Sequence, residues 1–203
     1  MKKNLALLFA TFAWFAVIMQ FVLMIENRTA PVSETIIRFF SFFTILTNTL
    51  VACYFTGIAF FKNQENKSIS KPGVLTAVTI YITMVGAVYQ FALRHIWSPQ
   101  GMQMIVDELL HSVIPILVIV FWYLYEVTKP VQYAQVLNWA LYPLVYLLFI
   151  LVRGSFSNFY PYPFINVIEI GLTKALTNAG ILVVVFMIIS GVFLFIGKSV
   201  LKR

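Results

Sequence analysis

Residues 104–125 read MIVDELLHSVIPILVIVFWYLY, with three ionisable side chains, Asp107, Glu108 and His111, in the opening turns of a run that is otherwise apolar. A run of this length can cross a hydrocarbon core of about 30 Å. An ionisable residue within a membrane span costs roughly 2.5–3.5 kcal/mol on insertion scales, so its retention marks a functional candidate. Asp107 and Glu108 have a second reading, because carboxylates suit the positive end of a helix dipole at a wet interface. His111 lies deeper, roughly 10 Å past Met104 at 1.5 Å per residue, and reads as functional.

The surrounding chain has the composition such a span requires. Of its 203 residues, 61% are hydrophobic and only 10% charged, too little polar surface to coat a soluble globule. Six apolar runs of spanning length emerge, at 4–25, 35–61, 73–93, 104–125, 134–152 and 171–196. The sequence therefore predicts an all-α, polytopic membrane protein, six transmembrane helices in a single bundle that forms one domain over residues 1–203. The Met-Lys-Lys start resembles a signal peptide, but the apolar run is about 22 residues long with no small-residue cleavage site, so it reads as a retained first span.

The net charge of +7 comes from basic residues at the ends of the apolar runs, a pattern of membrane topology and not of nucleic-acid binding. One set of loops and termini holds Lys2, Lys3, Lys62, Lys67, Lys71, Lys129, Lys198, Lys202 and Arg203; the other holds Arg28, Arg94 and Arg153. Lys and Arg are retained on the cytoplasmic side, which predicts a multi-pass cell-membrane protein with both termini cytoplasmic. Arg38, Thr44, Asp107, Glu108, His111, Glu169 and Lys174 then all fall in the outer half. The one cysteine, Cys53, excludes an internal disulfide and is expected to be a small core residue.

Read as one helix, the second span carries Arg38, Ser41, Thr44 and Asn48 on one broad face, with Thr44 roughly 13 Å below its outer end. That depth is close to the depth of His111, so spans two, four and six are expected to line a common cavity. Span one, with only Thr11 and Gln20 on opposite sides, is expected to be peripheral. The stripes Thr76, Thr79, Thr83, Gly86, Gln90 in span three and Asn138, Tyr142, Tyr146 in span five have the ordinary role of holding membrane helices together. Pro115 and Pro143 are expected to kink their helices and open space in the bundle. Trp97, Trp122, Trp139, Tyr123 and Tyr125 suit interfacial belts. The outer segment 153–167, rich in aromatic residues and broken by proline, is expected to lie on the bundle as a cap, with Glu169 and Arg153 as a candidate ion pair.

Gly-rich phosphate loops, zinc-binding His-Glu-x-x-His and the Gly-x-Ser-x-Gly elbow are all absent from the sequence. His95 and His111 are the only histidines and there is no thiolate partner, so neither a metal nor a cofactor is expected. Asp107 and His111 are i, i+4 neighbours, and a carboxylate so placed fixes the imidazole tautomer and raises its basicity. A hydroxyl nucleophile needs such a base.

Three segments together, Arg38-Phe39-Phe40-Ser41-Phe42-Phe43-Thr44-Ile45-Leu46-Thr47-Asn48, Leu110-His111-Ser112-Val113-Ile114-Pro115 and Tyr160-Pro161-Tyr162-Pro163-Phe164, resemble a family of six-span membrane proteins. The chain looks like a bacterial relative of the androgen-induced and androgen-dependent membrane proteins, whose eukaryotic members hydrolyse fatty acid esters of hydroxy fatty acids inside the membrane. The resemblance implies Thr44 as nucleophile and His111 as base. Asp107 would orient His111, and Asn48, Ser41 or Arg38 would stabilise the oxyanion. The implied partners are the bilayer and a membrane lipid or fatty acyl ester. Two other classes remain open: a carrier or channel for a proton or small anionic solute, and a non-catalytic lipid-binding protein.

Overall fold

Segments this long and apolar offer their backbone amides and carbonyls no side-chain partners, so the backbone must bond within the segment, as helix. A computed structural model, which describes residues 1–61, 69, 71–127 and 131–201, contains only helices and connecting turns among those residues. The helices are α1 (Lys2–Glu26), α2 (Val32–Phe39), α3 (Phe43–Phe60), α4 (Val74–Val88), α5 (Met102–Glu108), α6 (Ile114–Tyr125), α7 (Gln135–Ser157), α8 (Val167–Ile170) and α9 (Leu172–Leu201). One π-helical turn, Tyr89–Leu93, prolongs α4, and a second, Leu109–Val113, fuses α5 to α6. Six of the resulting segments are long and apolar enough to cross a membrane.

The second apolar run is not one helix. It breaks at residues 40–42 into α2 and α3, with Phe42 extended at ψ 124°. No proline or glycine stands there. Polar partners from elsewhere in the fold take up the freed groups: Tyr146 Oη donates to Ser41 O at 2.9 Å, and Thr44 N donates to Tyr162 Oη at 3.2 Å.

Span one turns most of its surface outward, with Leu7, Leu8, Phe15 and Ile18 exposed, as expected of a peripheral helix, and keeps one face for packing. It packs chiefly on α3, through Ala6, Ala10, Ala13 and Ala16, each at most 4% exposed. Small side chains let two backbones approach closely, and this alanine stripe was the signal that a search for polar residues passed over. Phe55 stands at the centre of the bundle, its ring 5.4 Å from Phe9 of α1 and 4.9 Å from Phe121 of α6. Two tryptophans expected at interfaces belong to the core as well: Trp122 is buried with Nε1 donating to Thr76 Oγ1 at 2.9 Å, and Trp139 of the following helix is also buried. Cys53, by contrast, is exposed on the outer surface of α3. Lys2 lies over Tyr125 and Lys198 over Tyr133 at one end of the bundle, whereas Arg28 and Arg38 line a cavity at the other. Lys62, Lys67, Lys129, Lys202 and Arg203 lie outside the described residues.

A clasp fastens the cap to α2. Glu34 Oε1 accepts from Arg38 Nε and from Arg153, each at 2.8 Å, and both guanidinium groups lie over the Phe159 ring, at 4.5 and 5.1 Å from its centroid. Arg153 therefore pairs with Glu34 and not with Glu169, which is exposed. The hydrogen bond from Arg38, helped by Arg153 and opposed by partial burial, holds the Glu34 carboxyl below its ordinary range. A depressed folded-state pKa means that the clasp contributes fully above the ordinary glutamate range and fades as pH falls through the lowered value. Glu34→Gln is expected to speed protease cleavage within residues 155–166 at neutral pH, and wild type is expected to reach the same rate only under strong acid. Equal cleavage of the two proteins at neutral pH would show that the clasp does not hold the cap.

Candidate active site

The break before Phe43 decides the chemistry of Thr44. Five threonines inside helices, Thr11, Thr56, Thr79, Thr83 and Thr177, each donate to the carbonyl four residues earlier, whereas Thr47 of α3 meets Tyr142 Oη at 3.2 Å. Thr44 occupies the second position of α3, where the preceding turn is missing, and its hydroxyl faces other elements. Oγ1 lies 3.4 Å from His111 Nε2 and 3.3 Å from Tyr162 Oη.

A proline explains how His111 reaches it. Pro115 has no N–H to give the carbonyl of His111, four residues earlier, and the helix widens into the π turn Leu109–Val113, with Ile114 N bonded to Leu109 O. Helix α4 approaches this turn at Gly86, where an added Cβ would stand 3.1 Å from His111 O. The His111 ring stacks on Tyr89, centroids 4.1 Å apart and planes 13° apart. Tyr89 itself opens the other π turn, so the two local widenings meet at one imidazole.

Hydrogen-bond polarity fixes the neutral tautomer. His111 Nδ1 is 2.9 Å from the main-chain oxygen of Asp107 and 3.3 Å from its Oδ1. A carbonyl can only accept, so Nδ1 carries the hydrogen and Nε2 is the acceptor. Thr44 Oγ1 must then donate to Nε2, leaving its lone pairs to receive the Tyr162 hydroxyl. The order is Thr44 N–H to Tyr162 Oη, Tyr162 O–H to Thr44 Oγ1, and Thr44 O–H to His111. Asp107, 5% exposed, anchors the imidazole from both its backbone and its side chain.

The supporting residues expected from the sequence are placed differently. Asn48 Nδ2 donates to Thr44 O at 2.9 Å and to Leu110 O at 3.3 Å. Ser41 Oγ donates to Ile37 O at 2.7 Å, and Arg38 is engaged with Glu34. None of the three donors is aimed at Thr44 Oγ1. Glu108 also leaves the site, bonded to Arg94 and to Ser112, while Glu169 and Lys174 are exposed. Tyr162 was missed by sequence reasoning; its only signal was the run Tyr160-Pro161-Tyr162-Pro163, aromatic beyond what a solvated loop needs.

Thr44 and Tyr162 stand at the meeting of two cavities. The outer one, about 530 Å³, reaches past His111 and Asp107 to Gln20, Arg28 and Gln103, so span one lines it and span six does not. The inner one, about 100 Å³, is walled by apolar residues of α4, α7 and α9, among them Met84, Leu147 and Phe186. Pro143 lines this second space, and Leu144 and Val183 on its rim are exposed on the outside of the bundle. Among the described residues, no three His, Cys, Asp or Glu side chains converge as metal ligands would. In comparison with known proteins, the chain matches no family model, no curated protein and no solved structure.

Proposed function

We propose that this chain is a multi-pass membrane protein with both termini cytoplasmic, and that it hydrolyses lipid esters in the outer half of the bilayer. The observation that carries the proposal is the contact between Thr44 Oγ1 and His111 Nε2 at the junction of a cavity that includes polar side chains and a largely apolar one. At 3.4 Å the pair is slightly longer than a catalytic hydrogen bond of about 2.6–3.2 Å, as is common before substrate tightens such a site. His111 Nε2 takes the proton as Oγ1 attacks the ester carbonyl carbon. The proton then goes to the departing alkoxide, leaving an acyl-Thr44 ester and a free alcohol. Water attacks that ester with His111 again as base, releasing the fatty acid and restoring the threonine. Asp107 keeps Nδ1 protonated and the ring in place throughout.

The two cavities suggest how an ester lies. Its acyl chain would enter between α7 and α9 past Leu144 and Val183 and rest on the apolar walls, while the alcohol portion faces Gln20 and Arg28. Purified protein in liposomes is expected to cleave members of a panel of hydroxy fatty acid esters and short nitrophenyl esters. Folded wild type that cleaves none of them would overturn the hydrolase and favour a carrier. Orientation has its own test: in a Cys53→Ala background, an impermeant thiol reagent applied to intact cells should label Ser157→Cys and leave Lys67→Cys unlabelled. The opposite pattern would place the site in the inner leaflet.

A further inference from the structure

A threonine nucleophile needs a donor for the oxyanion it creates; Asn48 and Ser41 give their hydrogens to main-chain carbonyls, and Arg38 gives Nε to Glu34 and makes no bond to Thr44. Building on the hydrolase reading above, we infer that the Tyr162 hydroxyl donates the hydrogen bond that stabilises the oxyanion formed when Thr44 attacks an ester. In the tetrahedral intermediate, the oxyanion and Oγ1 are bonded to the same carbon. A donor already 3.3 Å from Oγ1 therefore comes within reach of the oxyanion when the ester binds with its carbonyl oxygen on the Tyr162 side. The Tyr162 O–H hydrogen, which points to Oγ1 before reaction, swings to the new oxygen as Oγ1 gives its lone pair to carbon. No proton leaves the phenol, and the only proton transfer in the step is from Thr44 to His111.

Three features hold this donor ready. Thr44 N–H bonds to Oη at 3.2 Å, so the oxygen is fixed while its single hydrogen stays free to turn. The ring stacks on Phe164, centroids 5.2 Å apart, and meets Phe42 edge-on at 5.8 Å. Pro161 and Pro163 on either side restrict the backbone that carries it. Burial pushes the phenol above its usual range, against the opposing hydrogen bonds with Thr44, so the group stays protonated at neutral pH and remains a donor. A preorganised donor in a water-poor site is the arrangement that acts most strongly on a developing charge.

The test is Tyr162→Phe, which keeps both ring contacts and removes only the hydroxyl. On any ester that wild type cleaves, kcat is expected to fall about 10²- to 10³-fold with KM nearly unchanged. Phosphonylation of Thr44 by a long-chain fluorophosphonate is expected to slow by a similar factor, because the phosphoryl oxygen takes the oxyanion's place. Because Oη also accepts from Thr44 N–H, a lower melting temperature is expected in either case; a purely structural role would raise KM or reduce the folded fraction while leaving kcat of the folded protein near wild type. If Tyr162→Phe keeps kcat within about threefold of wild type while Thr44→Ala is inactive, the tyrosine assignment falls and the hydrolase stands. If wild type neither turns over an ester nor reacts with the phosphonate, the hydrolase reading falls and takes this assignment with it. A structure of the phosphonylated wild type decides the matter without any variant: a phosphoryl oxygen bonded to Tyr162 Oη supports the assignment, and one turned away overturns it.

Discussion

Thr44→Ala is expected to lower ester turnover by about 10³-fold or more, and His111→Ala to do the same, with little change in thermal stability. Neither residue is part of the hydrophobic framework. Thr44 Oγ1 bonds only across the site, and His111 rests on Tyr89 beside a cavity through which water can reach the Asp107 carboxyl once the ring is gone. The double variant is expected to be no worse than either single one, because a nucleophile and its base act as a unit. Thr44→Ser should retain much of the activity, since it keeps the oxygen at the second position of α3. Stopped assays on liposome-embedded protein, paired with melting curves, would check all four variants. Full activity in either alanine variant would remove the pair from the mechanism.

Phe55→Ala is expected to carry the largest stability cost, about 3–5 kcal/mol. Its side chain is fully buried and is the point where α1, α3 and α6 meet, in edge-on contact with Phe9, Tyr54 and Phe121. Deleting the ring leaves a hole that helices fixed by their neighbours cannot collapse to fill, so lost contacts add to lost burial. Denaturation in mixed micelles would measure the change. A loss below about 1 kcal/mol would mean that the three helices repack freely, which the close alanine packing of α1 against α3 argues against.

The six long helices were legible from the chain because they depend on one local property, the length of apolar runs bounded by polar turns. The depth of Thr44 and His111 was legible for a similar reason: rise along a helix is fixed, so residues counted from the ends of two spans can be compared. The packing face of span one was not legible, for a plain reason. Its polar residues are scattered, and its packing face is written in alanines, which look like any other apolar residue until a partner helix is set against them.

What the sequence by itself determined, then, was an all-helical chain with six segments able to cross a membrane and two reactive side chains at matching depth. The tertiary structure alone decided that the second apolar run breaks before Thr44. No local breaker demands that break; it exists because hydroxyls more than a hundred residues away, on Tyr146 and Tyr162, satisfy the backbone groups that it frees. Had the helix continued, Thr44 could have turned back on its own preceding turn, as Thr11, Thr56, Thr79, Thr83 and Thr177 do. The same long-range contacts chose Tyr162 over Asn48, Ser41 and Arg38 as the donor beside Oγ1. Hydrogen bonds between residues distant in sequence leave no periodic trace along the chain, so only folding brings them into view.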